Sequence, residues 1–392
     1  MCKCLNPSSA WICGNKVAKD GILSPRLVFS PKEALEYYHG VYALMAKNEV
    51  SIPCGKCELC VARKRKDMAT RLVHENSMHD TACFVTLTYN DAAIPVTNFA
   101  PDSVEMDDGK ISEVTRLVEF GNGRAPIQTL FPRDVQNFIK RLRRHVEYHN
   151  PNAPKIRYFA VGEYGGKTQR PHYHLLIFGW KPNDCERLFK RRGHWIYKSD
   201  EISRHWIRCE YETLPSCRRR RVARYSLGFC SVSDVSPAVA KYAARYTVKK
   251  MKDNSDENIN AARVPVFFLQ SVRGGGIGSP WLEKHAQNCL TGLLHYKVGD
   301  RIVTTSIPQY YITRLRKIKT PLFLQIRDER ISFINSHPSR AFSFDELCRE
   351  AEYFRKQWYD ERVSDCDLNC FNLSPARETV CSRASLSRTK KE

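Results

Sequence analysis

The chain has 392 residues, of which 42% are hydrophobic, enough for one large core or two modest domains. Its 63 Lys and Arg residues outnumber 42 Asp and Glu residues, and the formal net charge of +21 favours nucleic acid as partner over a membrane surface or mere solubility. Without a long apolar stretch or a secretory signal, we expect an intracellular protein with no membrane association, whose cysteines are reduced or metal-bound.

Closely spaced cysteines mark the N-terminal region, which we place at residues 1–80. The pattern Cys54-x-x-Cys57-x-x-Cys60 is typical of thiolate coordination of Zn²⁺. The first choice for the fourth ligand is Cys4. The alternatives for that ligand are Cys2 and Cys13. An iron–sulfur site fits less well because a fourth closely spaced cysteine is missing, and three metal-free thiols remain an alternative.

A basic stretch follows the cysteines and is predicted to be helical. It contains the run Arg63–Lys66, in which Arg63 and Lys64 are candidate DNA contacts. A structural zinc ion in the preceding cluster would anchor the N-terminus and orient this run toward DNA.

The second region, residues 81–292, opens with a short β-rich run. Cys83–Thr88 is predicted to be a buried strand. Residues 90–130 contain Pro, Gly and an acidic run from Asp102 to Asp108, and we interpret them as a loop insertion on the sheet.

A long amphipathic helix is predicted next. Pro132 is suited to its first position, and the helix should reach about His149. One buried stripe with the spacing i, i+3, i+4, i+7 consists of Val135, Phe138, Ile139, Leu142 and Val146. Arg141 and Arg144 lie outside this stripe and are candidate DNA contacts. A solvated face is the alternative interpretation of these arginines.

Two β-like runs follow, Ile156–Glu163 and His172–Gly179, and the Gly-containing segment between them predicts a hairpin. His172 and His174 project from the same face of their strand because side chains alternate along it. Glu163 can add a carboxylate across the hairpin. Two imidazoles, one carboxylate and open positions suit a divalent ion that also takes substrate oxygens. A surface His-x-His pair without metal is the alternative.

A tyrosine pair lies on the next predicted helix, which begins at Ser236–Pro237 and reaches about Met251. Tyr242 and Tyr246 are four residues apart and therefore share one face of the helix. The flanking cations are Arg245 and Lys249. A nearby cation or a metal-ordered phosphate would help a tyrosine hydroxyl attack. An aromatic stripe packed in a core is the alternative, which spacing alone favours.

The remaining predicted elements complete an α+β class, a central antiparallel sheet with flanking helices. A short strand is predicted at Gly228–Val232 and a helix at residues 279–290. The run Arg218–Arg221 with Arg224 is interpreted as a loop that touches phosphates or is solvated. Residues 293–392 form a C-terminal extension with a helix at Ser343–Val363 and a disordered tail.

The order of these motifs resembles that of the HUH endonucleases. The motifs are Phe84-Val-Thr-Leu-Thr-Tyr89, Arg170-Pro-His-Tyr-His174 and Tyr242-x-x-x-Tyr246. Within that superfamily the chain is similar to the two-tyrosine replication initiators of microviruses, particularly the gokushovirus-like phages. The segments Pro53-Cys-Gly-Lys-Cys57, Gly162-Glu-Tyr-Gly165 and Gly274–Gly278 strengthen the resemblance, which covers roughly residues 50–290.

The resemblance implies a sheet related to the ferredoxin or RNA-recognition fold. It implies Mg²⁺ or Mn²⁺ held by His172 and His174, with Glu163 as the acidic third ligand, and attack by Tyr242 or Tyr246 on a phosphodiester of single-stranded or supercoiled origin DNA. Arg245 stands where the family commonly has Lys, so Lys249 is the better candidate for proton transfer or phosphate contact. Arg245 remains a candidate DNA contact.

The implied activity is that of a nicking and closing enzyme in the cytoplasm of a bacterial host. Its product would be a 5′-phosphotyrosine link and a free 3′-hydroxyl, and the displaced strand would later be rejoined. A host polymerase and, because the chain has no motor motif, a host helicase are implied as partners. The alternatives are an HUH-type transposase or relaxase, a non-enzymatic zinc-containing nucleic-acid-binding protein, and a metal-dependent hydrolase that uses water.

Overall fold

The computed structural model describes residues 3–18, 21–97, 99–105, 111–117, 127–165, 168–191, 194–213, 219–235, 263–298, 301–336 and 343–369. Within these ranges we find no helix with the length and apolar character needed to cross a membrane.

The strands are numbered in chain order. They are β1 (Ser8–Val17), β2 (Leu23–Val28), β3 (Glu49–Ile52), β4 (Ala82–Tyr89), β5 (Val96–Thr97), β6 (Phe99–Glu105), β7 (Ile111–Leu117), β8 (Ile127–Gln128), β9 (Arg157–Tyr164), β10 (Pro171–Phe178), β11 (Glu186–Arg191), β12 (His194–Lys198), β13 (Ile207–Thr213), β14 (Arg219–Ser226), β15 (Gly228–Asp234), β16 (Phe267–Gln270), β17 (Leu293–Val298) and β18 (Arg301–Ser306).

The helices are α1 (Pro31–Tyr37), α2 (Tyr42–Lys47), α3 (Glu58–Asn76), α4 (Pro132–His149), α5 (Asp200–Ser203), α6 (Ser279–His285), α7 (Gln309–Ile318), α8 (Thr320–Ser336) and α9 (Phe344–Asn369). A short 3₁₀ helix, Ala286–Cys289, follows α6.

A seven-stranded sheet in the order β11-β12-β15-β4-β10-β9-β16 is the centre of the fold. Every neighbouring pair in it is antiparallel. Helices accompany this sheet, so the predicted α+β class with a central antiparallel sheet is confirmed.

Helix α4 covers one face of this sheet. It begins at Pro132 and ends at His149, as the sequence predicts, and all five stripe residues named above are buried. They pack with the alternate residues Tyr173, Leu175 and Ile177 of β10. The intervening residues of β10, including the two histidines, therefore project from the opposite face.

Two predicted loops are strands. The acidic insertion contains the antiparallel pair β6–β7, and β5 pairs with β8 at its base. The arginine run 219–221 lies in β14, which pairs with β13. Both interpretations as loops are wrong in this respect, because polar side chains do not prevent a two-stranded ribbon when each strand supplies backbone partners to the other.

The chain divides into two compact units. One comprises Met1–His74 and Gly278–Asp360, and the other comprises Glu75–Ile277 and Glu361–Glu392. The first unit thus combines most of the predicted N-terminal region with most of the predicted C-terminal extension, which the sequence pattern assigns to separate regions. Contacts between residues hundreds of positions apart produce this grouping, such as the 2.8 Å ion pair between Lys3 and Glu350.

The first unit also contains structure that the sequence pattern did not indicate. Strands β2, β1 and β3 form a three-stranded antiparallel sheet within residues 1–53. Elsewhere in this unit, the ring of the buried His74 stacks on Trp281 at 3.7 Å, and its Nδ1 is 3.0 Å from the Tyr311 hydroxyl. Burial lowers the pKa of His74 to about 3, so this ring is a neutral core residue.

Candidate active site

The register of the central sheet brings three potential metal ligands together. His172 pairs directly with Glu163 across the β9–β10 hairpin, and His174 lies two residues further along the same face. The three side chains are buried, with Glu163 1%, His172 5% and His174 7% exposed. The sequence-predicted hairpin therefore places all three residues in one cluster.

The ligand atoms of this cluster converge. Glu163 Oε1 is 3.0 Å from His172 Nε2 and 2.9 Å from His174 Nε2. All three candidate ligand atoms lie within 4.8 Å of one another, as binding to a single ion requires. Carboxylate and imidazole ligands of this kind suit a divalent ion with positions left for substrate.

The outer nitrogens of both rings have partners that orient them. His172 Nδ1 is 3.1 Å from the carbonyl oxygen of Arg170, and His174 Nδ1 is 3.0 Å from Thr86 Oγ1. A carbonyl only accepts, so His172 Nδ1 must carry the proton and a neutral ring directs the lone pair of Nε2 at Glu163. Two lone pairs facing each other require positive charge between them, which a divalent cation would supply.

Thr86 was missed in the sequence analysis. The alternating pattern of β4 contained the signal, because Thr86 lies between the buried core residues Val85 and Leu87 and so projects from the histidine face. Its pairing with His174 follows from the β4–β10 register, which joins residues 88 positions apart.

Two tyrosines close to the histidines face the other way. Tyr173 and Tyr89 are fully buried, and their hydroxyl oxygens are 3.0 Å apart. Tyr89 donates to Asp134 at 2.9 Å, while the backbone N–H of Phe131 donates to Tyr173 at 2.7 Å. Burial raises the pKa of both tyrosines, so they remain protonated structural groups and are poor nucleophiles.

The proposed nucleophiles lie outside the described residues. This applies to Tyr242, Tyr246, Arg245 and Lys249, and to the predicted helix that begins at Ser236–Pro237.

The predicted DNA contacts that are described differ in their surroundings. Arg144 and Arg63 are exposed on α4 and α3. Lys64 donates from Nζ to the carbonyl of Gly55 at 3.0 Å. Arg141 donates to the carbonyls of His205 and Ile207, at 3.2 and 2.6 Å, and thus has a structural role in the protein.

The first unit contains a second cluster of potential ligands. The Sγ atoms of Cys4, Cys54, Cys57 and Cys60 lie within 4.8 Å of one another. Cys4 Sγ and Cys57 Sγ are 3.7 Å apart, close to the roughly 3.8 Å expected between two sulfurs on a tetrahedral zinc ion with bonds of about 2.3 Å. Of the candidates for the fourth position, the structure brings Cys4 to the other three.

The turn between the cysteines favours a thiolate. Backbone N–H groups of Lys56 and Cys57 donate to Cys54 Sγ at 3.4 and 3.3 Å. These hydrogen bonds, the one from Lys56 foremost, lower the pKa of Cys54 to about 6, whereas burial raises the pKa of Cys60 to about 12. A bound cation would stabilise the thiolate of Cys60 against that burial.

Comparisons with known proteins follow the same boundaries as the central sheet. The family model described as replication-associated protein ORF2 matches residues 82–251, a segment that includes Glu163, His172, His174 and the tyrosine pair. The chain is 28% identical over 265 residues to Replication-associated protein VP4 of Bdellovibrio phage phiMH2K. This chain is a relative of phage replication-associated proteins. The match confirms the resemblance to the replication initiators of microviruses.

Two further relatives of this phage-type chain support the same conclusion. It is 28% identical over 200 residues to Replication-associated protein ORF4 of Chlamydia phage 1, and 28% identical over 293 residues to Replication-associated protein ORF2 of Spiroplasma virus 4. The Bdellovibrio, Chlamydia and Spiroplasma alignments cover 67%, 51% and 73% of this chain and 66%, 38% and 71% of the relatives. No solved structure matches the chain.

Proposed function

We propose that this chain initiates rolling-circle replication by nicking single-stranded origin DNA through a tyrosine. The observation that carries the proposal is the buried convergence of Glu163, His172 and His174 on a central strand. Its support is that this strand lies in the segment similar to phage replication-associated proteins. A cluster of this composition is suited to phosphodiester chemistry.

The proposed reaction is a transesterification. The Oη of Tyr242 or Tyr246 loses its proton and attacks the phosphorus, while the bond from phosphorus to the 3′ oxygen breaks. That oxygen takes up a proton and becomes a free 3′-hydroxyl, and the 5′-phosphate stays on the tyrosine. Lys249 is the proposed group for proton transfer or phosphate contact. Mg²⁺ or Mn²⁺ held by Glu163, His172 and His174 would polarise the scissile phosphate.

The same proposal explains why two tyrosines are needed. A host polymerase would extend the free 3′-hydroxyl, with a host helicase opening the duplex in the bacterial cytoplasm. After one circuit the second tyrosine would cut again while the first end is still attached. The released 3′-hydroxyl would then attack the first phosphotyrosine, which restores a phosphodiester and closes the displaced strand.

Trapping the covalent intermediate tests this proposal. The full chain is incubated with a random-sequence pool of single-stranded oligonucleotides and Mn²⁺, and protein–DNA adducts that survive denaturation are isolated and sequenced. We expect adducts enriched in one sequence, formed with Mn²⁺ and absent when a chelator is added. Cleavage without an adduct would instead indicate a hydrolase that uses water, and binding without cleavage a non-enzymatic DNA-binding protein.

Thr86 provides a test of the proposed metal site that does not depend on activity. Thr86→Val removes the hydroxyl that holds His174 Nδ1 and keeps the shape of the side chain. We expect the affinity for Mn²⁺, measured by calorimetric titration, to fall by about 10–100-fold, the usual effect of losing a partner that orients a ligand. The control is Thr88→Val on the same face, since Thr88 makes no side-chain hydrogen bond to either histidine in the described part of the chain. Equal reductions in affinity would contradict the role of Thr86.

We also propose that Cys4, Cys54, Cys57 and Cys60 hold one structural Zn²⁺. Cys57 and Cys60 belong to a buried cluster with Ala351 of α9, so the ion would join the N-terminus to this helix. Arg355 of α9 adds a 2.8 Å ion pair to Glu58.

Cys57→Ser is expected to lose the zinc and to lower the free energy of unfolding. We expect at least about 3 kcal/mol, a small part of the roughly 10–16 kcal/mol found for structural zinc in small domains. Elemental analysis of chelator-free protein and thermal unfolding measure the two effects. Cys13→Ser, which changes a buried cysteine outside the cluster, should keep about one Zn²⁺ per chain. Wild-type protein without zinc would rule the site out.

A further inference from the structure

The ribbon β13–β14 has the composition of a nucleic-acid-binding element. Its two strands pair with each other from Ile207↔Ser226 to Thr213↔Arg219, apart from the seven-stranded sheet. They contain five arginines and two glutamates. Arg221, Val222 and Arg224 are exposed. The described, exposed side chains of the ribbon include no aromatic ring.

The base of the ribbon is held rigidly in the unit that contains the metal cluster. The guanidinium of Arg141 binds the backbone carbonyls of His205 and Ile207, and Arg208 forms a 2.6 Å ion pair with Asp134. Trp206 is fully buried, and its Nε1 donates to the carbonyl of Thr88 at 3.1 Å. An element anchored in this way can project from the sheet without bending at its base.

The register of β4 places this base at the same end of the sheet as the histidines. The ribbon leads directly into β15, where Phe229 pairs with Thr88, and Thr88 pairs on its other side with His172. The backbone N–H of Asn90 also donates to the carbonyl of Leu227 at 2.8 Å. A polynucleotide held at the metal cluster would therefore pass close to the ribbon.

We propose that the ribbon β13–β14 binds double-stranded DNA next to the single-stranded segment that is cut. This inference rests on the proposed function. The major groove of DNA admits a two-stranded β-ribbon, and arginines on such a ribbon contact the flanking phosphates. Single-strand binding instead relies on exposed aromatic rings that stack on bases, whereas the described side chains exposed on the ribbon are arginine, glutamate, serine and Val222.

A second hairpin in the same unit provides the matched control. Strands β11 and β12 carry Arg187, Lys190 and Lys198, and Arg187 stacks over the Trp195 ring at 4.9 Å. This hairpin joins the sheet through Tyr197↔Val232, and Val232 pairs with Val85, towards the end of β4 away from His172. It has a similar charge at a different place.

The experiment compares two DNA probes in the presence of a chelator, so that binding is separated from cleavage. One probe is a short duplex of arbitrary sequence with a single-stranded tail, and the other is an unstructured single strand of the same length. The proteins are the full-length wild type, the ribbon variant Arg219→Gln/Arg220→Gln/Arg221→Gln, and the control variant Arg187→Gln/Lys190→Gln/Lys198→Gln. Affinities are measured over a range of salt concentrations.

We expect the wild type to bind the tailed duplex at least about tenfold more tightly than the single strand, and the ribbon variant to lose this preference. The salt dependence of its duplex binding should fall by about 0.9 in the logarithmic slope for each phosphate that the variant no longer neutralises. The control variant should keep the preference. If thermal unfolding shows that the triple variant is unstable, Arg221→Gln alone should lower the slope by about one.

Three results would overturn the inference. They are equal affinity of the wild type for both probes, an equal reduction in affinity for both probes in the ribbon variant, and an equal loss of preference in the control variant. The second result would assign the ribbon to single-stranded DNA. A wild type that prefers the duplex but never forms a covalent adduct with Mn²⁺ would contradict the proposed nicking reaction and leave the ribbon assignment intact.

Discussion

Changing both Tyr242 and Tyr246 to Phe is expected to abolish the covalent protein–DNA adduct while DNA binding survives. The substitution removes only the attacking oxygen and keeps the ring, so packing is unaffected. DNA affinity arises mainly from Lys and Arg contacts with phosphates and should change little. Denaturing gels measure the adduct, and mass spectrometry of the wild-type adduct should find the DNA end on one of these two residues.

The single variants separate the two tyrosines. Their spacing of four residues places both on one face of the predicted helix, so either hydroxyl can reach the same phosphate after a small shift. Each single variant should retain some cleavage of a short single strand, whereas complete replication, which needs two cuts, should fail in both. Tyr148→Phe, at an exposed tyrosine of α4, is the control. Undiminished cleavage by the double variant, or an adduct on another residue, would refute the mechanism.

Replacing His172 or His174 by Ala is expected to reduce cleavage by about a thousand-fold or more. A bound divalent ion contributes several kcal/mol to the stabilisation of charge at the phosphate, and each 1.4 kcal/mol is about tenfold in rate. Loss of either ring removes a nitrogen within 3.0 Å of Glu163 Oε1 and should empty the metal site. Nicking rate and Mn²⁺ affinity should therefore fall together, while DNA affinity changes little.

The control for these variants is His194→Ala, at an exposed histidine of β12 in the same unit. It should keep full nicking and Mn²⁺ affinity. Thermal unfolding distinguishes a lost metal site from a lost fold, since the two ring positions are buried. Full nicking by both His172→Ala and His174→Ala would remove the cluster from the mechanism.

Local patterns in the sequence determined much of the second unit. Helix α4 begins and ends where Pro132 and the apolar stripe predict, because both signals act within a few residues. Strand alternation and the short hairpin loop likewise predicted that Glu163, His172 and His174 share a face. The close spacing of Cys54, Cys57 and Cys60 was sufficient to indicate a metal cluster.

Only the tertiary structure decided which distant residues complete these sites. Cys4 joins the other cysteines across about fifty positions, and Thr86 reaches His174 through the β4–β10 register. Arg141 illustrates the limit of pattern analysis, since its position outside the apolar stripe indicated DNA or solvent. The fold instead directs its guanidinium at the carbonyls of His205 and Ile207, because strand ends left without backbone partners need a donor. Helical or strand periodicity reports which face is buried, but not which residues meet across the fold.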